Sequence, residues 1–398
     1  MHDAQTLWRR AAAPLRLLLS AMVCMAMLAS CGGDGVGTGG TGSFASGPIT
    51  GYGSIIVGGV EFDDAGATVL DDDGAPIMRN GNELRLGMTV DVEGRAITRS
   101  GNGKRASGVE VRMTTAVLGP VETIDAASGT VVVLGQTVQI TAATAFGPSL
   151  RGGISSLRTG DVIAIHGLPD VGSQRYIASR VEPAHGARVW RLRGIVSGLD
   201  AAARTLRVGQ ALLDYSAATG VPPELANGRL VRITLASSRT GGSLTVLTLG
   251  LASPAPGESD ETVLEGLVTS QSTSTVFSVN GVAVEAGQAP IEPAGSAVAP
   301  GAYVVVEGTV SNGRVLASRI RILTRAGLEA RPFQVAGVVA NLDASAATIV
   351  VRNVSIDYSS ATFSNGSAAR LAPGVGVHVT GPLSADGTQV RAVHVAFD

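Results

Sequence analysis

The sequence predicts an all-β fold: a tandem array of about five small, five-stranded β-barrel modules of the OB-like or SH3-like kind, after a lipoprotein signal peptide and a flexible tether. Two motifs that recur about every 70 residues predict the array. Short β-type runs joined by Gly or Asn turns predict the barrels. The chain has 398 residues, 45% of them hydrophobic and 53 of them glycine, which suits compact modules rich in turns.

Residues 1–30 are predicted to be a targeting segment and not part of the fold. Arginines at positions 9, 10 and 16 precede an apolar run over 17–28, which is too short to span a bilayer and is typical of a signal peptide. The tetrapeptide Leu28-Ala29-Ser30-Cys31 ends this segment and resembles a bacterial lipobox. The resemblance implies cleavage between Ser30 and Cys31 and a lipid on Cys31. Ordinary secretion and an uncleaved anchor are the alternatives.

Residues 31–46 are predicted to be the lipidated cysteine and a flexible tether, because 11 of these 16 residues are Gly, Ser or Thr. A multiply acylated cysteine anchors a protein firmly to a membrane. Gly32 follows the cysteine where other sorting signals have aspartate, and the lipoprotein sorting pattern then implies the outer membrane. We therefore expect a lipid-anchored protein of the cell envelope.

Each predicted module opens with a glycine and later contains the motif G-x-x-V-x-V-x-G or a near copy. Two independent motifs with one period indicate structural repetition. The opening glycines are Gly51, Gly119, Gly194, Gly266 and Gly337, and the second motif begins at Gly87, Gly160, Gly228, Gly301 and Gly374. The third module departs from the pattern, with Leu235 in place of the closing glycine. The predicted modules span residues 47–115, 116–186, 187–254, 261–324 and 331–398.

An aspartate turn and a hairpin are predicted near the start of a module. Asp125, Asp200 and Asp343 each stand five residues before a threonine. The carboxylate can bind the backbone two residues on, and the β-branched residue can start the next strand. Ser270 is predicted to replace the aspartate in the fourth module. Because a module of this size is marginal alone, we expect the modules to pack on one another.

The first module, GPITGYGSIIVGGVEFDDAGATVLDDDG through LRLGMTVDVEG, resembles the bacterial domain of unknown function 5666, and the other modules resemble it more weakly. That family is common in lipoproteins of Gram-negative bacteria, often in tandem. The resemblance implies a β-barrel fold and an envelope location. It implies no substrate, cofactor or catalytic residue.

Two groups of residues are candidate metal ligands. Asp71, Asp72 and Asp73 are consecutive acids that could hold calcium, but their spacing does not match the EF-hand loop, and a solvated acidic turn is the alternative. His378 and His394 are each flanked by valines, so strand alternation places both on the solvent face of neighbouring strands. Two ligands without a third make a poor metal site. No cofactor is predicted.

Nucleic acid is not a predicted partner. Arg188, Arg191 and Arg193 surround Trp190, and OB barrels that bind single strands combine a cationic groove with stacking aromatics. The net charge of −2 and the aromatic content of 4% argue against that function. We predict instead that Trp190 lies in the core and that the arginines are solvated. The sequence contains neither G-x-S-x-G nor H-E-x-x-H, so no hydrolytic motif is recognised.

The sequence favours a non-enzymatic envelope lipoprotein that acts as a binding or spacing scaffold. Its expected partners are the membrane, through the lipid on Cys31, and an envelope protein or glycan. The alternative is an oligosaccharide-binding or calcium-assisted adhesive protein, and a third hypothesis is a hydrolase with an unrecognised site. A glycan binder should show exposed aromatics grouped on one groove, whereas an enzyme should show convergent buried polar groups in a pocket.

Overall fold

The computed structural model describes residues 42–78, 83–100, 103–240, 242–252 and 256–398. Together they form one compact unit from Gly42 to Asp398. The regular structure of these ranges is almost entirely β, as predicted, with one short α-helix, α1(Arg325–Glu329), before the last module. None of the helices in the described ranges is long and apolar enough to cross a membrane.

The strands recur in the same order from module to module. Module 1 contains β1(Gly42–Tyr52), β2(Ile55–Val57), β3(Val60–Asp63), β4(Thr68–Leu70), β5(Thr89–Arg95), β6(Thr98–Ser100) and β7(Gly103–Met113). Module 2 contains β8(Val117–Asp125), β9(Thr130–Val133), β10(Gln136–Gln139), β11(Ala145–Phe146), β12(Val162–Asp170) and β13(Arg175–Pro183). Module 3 contains β14(Val189–Asp200), β15(Thr205–Val208), β16(Ala211–Asp214), β17(Leu230–Thr240) and β18(Ser243–Leu251).

The last two modules continue this order. Module 4 contains β19(Ser259–Gln271), β20(Val276–Val279), β21(Val282–Glu285), β22(Ile291–Glu292), β23(Tyr303–Ser311) and β24(Arg314–Leu323). Module 5 contains β25(Phe333–Asp343), β26(Thr348–Val351), β27(Val354–Asp357), β28(Thr362–Ser364), β29(Gly376–Gly381), β30(Val390–Arg391) and β31(His394–Phe397). Single 3-10 turns lie at Gly153–Ser156 and Ala368–Arg370.

All five modules share one strand pairing, including the divergent third. In module 3, β14 pairs antiparallel with β15 and β17, β15 pairs with β16, β16 runs parallel to β18, and β18 returns antiparallel to β17. The equivalent pairs occur in the other four modules. These pairs close the sheet of each module into a barrel. The strands neighbour one another in the order first, second, third, fifth, fourth and back to first, which is the five-stranded Greek-key order of an OB-like barrel.

The repeated glycines occupy positions that disfavour a side chain, either through a positive φ or through close contact with a neighbouring residue. The first glycine of the G-x-x-V motif has φ between +80° and +92° in every module, a left-handed conformation that other residues rarely adopt. The opening glycine lies beneath the hairpin that follows it. A Cβ on Gly119 would lie 2.6 Å from Leu134 Cγ, and a Cβ on Gly194 would lie 2.3 Å from Val208 Cγ1. The glycines therefore recur with the period of the modules because the backbone of each barrel requires glycine at these positions.

The closing glycine of the same motif marks a β-bulge in the fourth strand. The register slips at Gly94 and Gly167, and a Cβ on Gly167 would lie 2.4 Å from the Ile177 carbonyl oxygen. Module 3 has Leu235 at this position. There the regular pairing of β17 with β18 is interrupted after Leu235 and resumes at Arg239. The departure from the motif thus changes the bulge and leaves the topology intact.

The predicted aspartate turns are confirmed in three modules and corrected in the fourth. Asp125, Asp200 and Asp343 each accept hydrogen bonds from backbone amides two and three residues on. In module 4 the turn residue is Thr273, whose hydroxyl accepts from the next amides, while the predicted Ser270 lies within β19. A threonine hydroxyl can replace the carboxylate because it offers the same acceptor to the turn.

First strands join the modules to one another. The first strand of module 2, β8, pairs with that of module 3, β14. The first strand of module 1, β1, runs parallel to β19 of module 4 and to β25 of module 5. Backbone hydrogen bonds therefore connect barrels as well as strands, in line with the expectation that single modules are too small to stand alone.

The boundary predicted for the tether at residue 46 is wrong. The strand β1 begins at Gly42, and residues 43–46 pair with β19 on one side and with β5 on the other. Phe44 and Ala45 are buried. Glycine and serine predict flexibility by composition, but two neighbouring strands satisfy the backbone groups of this segment on both edges.

Three apolar clusters form the core. In the described ranges, one draws mainly on modules 1 and 5 and also includes Ala145, Val263 and Val305. A second is shared by modules 2 and 3, and the third belongs to module 4 with Phe44 from β1. The valines of the G-x-x-V-x-V-x-G motif point into these clusters as predicted. Val90, Val92, Val377 and Val379 are each at most 1% exposed.

We expect Val92→Ala to lower the free energy of unfolding by about 1–3 kcal/mol, because two methyl groups are removed from a fully buried site and a cavity remains. Glu93→Ala, one residue along the same strand on the exposed face, should change it by less than about 0.5 kcal/mol. Denaturant unfolding of the full chain compares the two. Equal losses would show that the strand face is assigned wrongly.

Candidate functional site at the module junctions

The acidic turn at 71–73 is a contact between modules 1 and 3. Arg191 Nη2 on β14 lies 2.7 Å from Asp73 Oδ2, and the Thr234 hydroxyl donates to Asp73 Oδ1 at 3.2 Å. Asp71 Oδ1 accepts hydrogen bonds from the Asp73 and Ala75 amides, which closes the turn. The predicted alternative of a solvated acidic turn holds only in part, because the turn is docked on basic residues of another module while the Asp73 side chain stays 43% exposed.

The central carboxylate of the turn, Asp72, points away from the other two. Its Oδ1 accepts a hydrogen bond from the Thr115 amide at 2.5 Å, and Arg232 donates to its backbone carbonyl. Burial raises the pKa of Asp72 above its usual range. For Asp73, burial also acts to raise the pKa, but the bonds to Arg191 and Thr234 hold it below its usual range. Asp71 and Asp73 thus share Arg191, whose Nη2 also lies 3.9 Å from Asp71 Oδ2, whereas Asp72 binds the Thr115 amide.

We expect calcium to leave the melting temperature of the full chain unchanged, because the carboxylates of the acidic turn already bind amides and arginine. An ion that bound only the folded chain would stabilise it by about 2.7 kcal/mol at a hundredfold excess over Kd. Thermal unfolding with millimolar calcium and with chelator measures this. A rise of several degrees that Asp72→Asn abolishes would contradict the expectation and favour the adhesive hypothesis.

The two candidate histidines lie on the neighbouring strands β29 and β31, as predicted, but they have separate partners. His378 is exposed and its Nε2 lies 3.0 Å from Asp398 Oδ1. His394 is only partly exposed, which corrects the prediction of a solvent-facing ring. Its two ring nitrogens lie 3.0 Å from the Thr362 and Ser364 hydroxyls. Within the described ranges no three His, Cys, Asp or Glu side chains come together as a metal site.

The prediction of solvated arginines around Trp190 is wrong at two positions. Arg193 is 8% exposed, and Arg191 binds the acidic turn. Burial lowers the pKa of Arg193, while Asp91 and Asp72 act in the opposite direction. Trp190, predicted to lie in the core, is only partly buried and packs against the core of modules 2 and 3. Strand alternation identifies the face opposite the core, but here module 1 covers that face.

A largely buried ion pair within β13 of module 2 lies against module 1. Arg180 on β13 holds Glu182 Oε1 through Nε at 2.8 Å and Nη2 at 2.6 Å, and its Nη1 donates to the Leu86 carbonyl at 2.9 Å. Burial alone would raise the pKa of Glu182, but Arg180 holds it below its usual range. Arg180 also lines a cavity of about 410 Å³ between modules 1, 2 and 5. The other arginines of that cavity are Arg85, Arg151 and Arg352.

A second cavity, of about 320 Å³, lies where modules 1, 2 and 4 meet the α1 connection and the start of module 5. Its wall is largely apolar, with Leu168, Ile177, Leu267 and Phe333 among the lining residues. Glu265 on β19 lines it too and is 0% exposed. A carboxylate in such a wall requires partners, because burying an unpaired charge is costly.

The partners of Glu265 leave half of its carboxylate unused. The Tyr303 hydroxyl donates to Oε1 at 2.7 Å, and Arg331 Nη1 donates to the same oxygen. Among the described residues, Oε2 has no hydrogen-bond partner although it is buried. Burial and then the neighbouring carboxylate raise the pKa of Tyr303 well above its ordinary value, so the phenol stays a donor. The side chain is therefore fixed in place with one acceptor free.

The predicted site residues do not include Glu265, Tyr303, Arg331 or Arg180. One signal was available for Glu265, which immediately precedes the opening glycine of its module. Leu118 and Ala336 hold that position in modules 2 and 5. Thr50 and Arg193 hold it in modules 1 and 3, so the position is apolar in only two of the other modules and a charged residue there is a weak signal. Tyr303 and Arg331 carry no such signal, because their roles depend on packing between modules.

Ser30 and Cys31 lie outside the described residues, so the cleavage and lipidation sites stay predictions. The sequence-level expectation of a targeting segment over 1–30 and of a tether up to residue 41 likewise concerns residues outside the described ranges.

A comparison with curated proteins finds no match. A solved structure named "drosophila Unr CSD456" is 14% identical and covers 53% of this chain and 98% of its own, with a TM-score of 0.14. A score this low does not establish a common fold, and the OB-like assignment rests on strand pairing. The family model "Domain of unknown function (DUF5666)" matches residues 46–101, 119–182, 265–321 and 336–396. These matches fall in modules 1, 2, 4 and 5 and span more than half of the chain, which therefore belongs to the DUF5666 family.

Proposed function

We propose that this protein is a non-enzymatic scaffold of the cell envelope, held at the membrane by lipid on Cys31, that binds or spaces other envelope components. The observation that carries the proposal is the joining of the modules through their first strands. Shared β-pairing and buried ion pairs at the junctions favour one rigid body over modules that move independently. A rigid body on a tether can hold partners at fixed separations.

The burial of aromatic side chains separates this proposal from the glycan-binding alternative. Every aromatic residue in the described ranges is buried or partly buried. Surfaces that stack sugars or bases need exposed rings. The most exposed large hydrophobic side chains in these ranges are aliphatic or methionine, and they include Val338 and Val393 of module 5 and Leu247 of module 3. Buried aromatic rings and exposed aliphatic side chains favour a protein partner over a glycan partner.

A photo-crosslinking experiment in cells tests the proposal. A photoreactive amino acid replaces Val338, Val393 or Leu247 in turn, and Val377, which is 0% exposed, is the buried control. A scaffold should give a cross-linked adduct of defined mass from at least one exposed position and none from the control. The adduct should disappear in Cys31→Ser, which releases the chain from the membrane. The absence of adducts at all three exposed positions would overturn the scaffold proposal.

Lipid attachment is tested separately. A fatty-acid analogue should label the wild-type protein and spare Cys31→Ser. Equal labelling of both would remove the membrane from the proposal and leave ordinary secretion or an uncleaved anchor.

A further inference from the structure

We propose that the cavity beside Glu265 is a binding site for a small, uncharged, largely apolar molecule that carries a hydroxyl group. The proposal rests on the binding role proposed above and adds to it a small-molecule ligand and its chemical class. Each part of that class follows from one property of the cavity.

The free oxygen of Glu265 specifies a hydrogen-bond donor. The side chain is 0% exposed and Oε2 has no partner among the described residues. A buried acceptor without a partner is destabilising by comparison with a satisfied one. Ser179 on β13 lines the same cavity, and its buried hydroxyl also has no partner in the described part of the chain. A ligand hydroxyl can donate to the carboxylate and accept from the serine, so it satisfies either group.

Arg331 specifies that the donor is uncharged. Its Nη1 already neutralises the Glu265 carboxylate, and Tyr303 donates to the same oxygen. A second cation would add repulsion with the guanidinium, whereas an anion would be repelled by the carboxylate at close range. A neutral hydroxyl adds a charge-assisted hydrogen bond without adding charge to the cavity.

The wall and the volume specify the rest of the ligand. The lining includes leucine, isoleucine, proline and phenylalanine side chains from three modules and from the chain around α1. An engineered apolar cavity of about 150 Å³ holds one benzene ring, so about 320 Å³ suits two fused rings or a chain of similar size. Pockets of this size and composition are common ligand sites in proteins.

The backbone is shaped around the same carboxylate. Gly47 on β1 lies against Glu265, and a Cβ at that position would lie 2.9 Å from Glu265 Cβ. This glycine belongs to the strand that pairs in parallel with β19. Module 1 therefore helps to hold the carboxylate in place, and the site exists only when the modules are assembled.

Three bicyclic probes test the proposal on the full chain: 2-naphthol, naphthalene and 2-naphthoate. Titration calorimetry should show that 2-naphthol binds on the order of tenfold more tightly than naphthalene, since one hydrogen bond to a charged acceptor is gained. 2-Naphthoate should bind more weakly than 2-naphthol. Equal affinity for 2-naphthol and naphthalene, or no binding of either, would overturn the proposal.

Variants locate the site. Glu265→Gln replaces the charged acceptor by a neutral amide, so the charge-assisted bond is lost and the preference for 2-naphthol over naphthalene should fall. Glu285→Gln, an exposed glutamate of the same module, should keep that preference. Ala143→Phe adds a large side chain at another lining position and leaves residue 265 unchanged. It should weaken the binding of both neutral probes, so it tests the site even if Glu265→Gln fails to fold. Undiminished binding by Ala143→Phe would place the ligand elsewhere.

In-cell cross-linking from Val338 or Val393 does not depend on this cavity, so failure here and failure of the scaffold proposal are distinguishable.

Discussion

Arg180→Met is expected to lower the free energy of unfolding by about 3 kcal/mol, because it removes the main partner of a largely buried carboxylate. The Arg180 side chain is 6% exposed and that of Glu182 is 20% exposed. The change also removes the hydrogen bond to the Leu86 carbonyl in module 1. Arg85, 3.4 Å from Glu182, compensates part of the charge, which places the loss near the lower end of the range for buried pairs.

An exposed pair with the same geometry provides the control. Arg319 holds Glu292 Oε1 through Nε at 3.0 Å and Nη2 at 2.8 Å, but the two side chains are 46% and 45% exposed. Arg319→Met should cost less than about 1 kcal/mol, because solvent screens an exposed pair. Denaturant unfolding of both variants measures the difference, and similar losses would show that burial does not set the strength of these pairs. Arg180→Met combined with Glu182→Gln should recover much of the lost stability.

His166 is expected to make the folded chain sensitive to mild acid. The ring is buried on β12, its Nδ1 has no partner among the described residues, and burial lowers its pKa to about 4. Glu182 acts to raise that pKa and Arg180 to lower it further. An unfolded histidine has a pKa near 6.5. Between these two values the unfolded chain takes up a proton that the folded chain does not, so stability falls as the pH falls.

The contribution of His166 to the pH dependence of the free energy of unfolding is large enough to measure. Between pH 7.5 and 4.5, His166 should account for a loss of about 2–3 kcal/mol in the free energy of unfolding. His166→Gln should be less stable at neutral pH but should show a shallower loss over this interval. His185→Gln, at an exposed position, should keep the wild-type slope. Unfolding curves at several pH values provide the test, and parallel slopes for wild type and His166→Gln would contradict it.

The sequence by itself determined the repeating architecture of this protein. The glycine period reports positions where the barrel backbone adopts a positive φ or where a strand approaches another closely, as at Gly119 and Gly167. These requirements act within a single module, over short stretches of chain, so they leave a visible pattern in the residues. The inward-facing valines, such as Val92, follow from strand alternation for the same reason.

The tertiary structure alone decided what the surface of each module contacts. Strand alternation places Arg193 and the acidic turn on the outer faces of their barrels, but it does not show that another barrel covers those faces. Gly42–Ser46 has the composition of a tether and becomes a strand because β5 and β19 lie on either side of it. Glu265 becomes a candidate ligand group only through Tyr303 and Arg331, which reach it from separate parts of the chain. Contacts between modules depend on how the barrels pack, and no local pattern of residues encodes that packing.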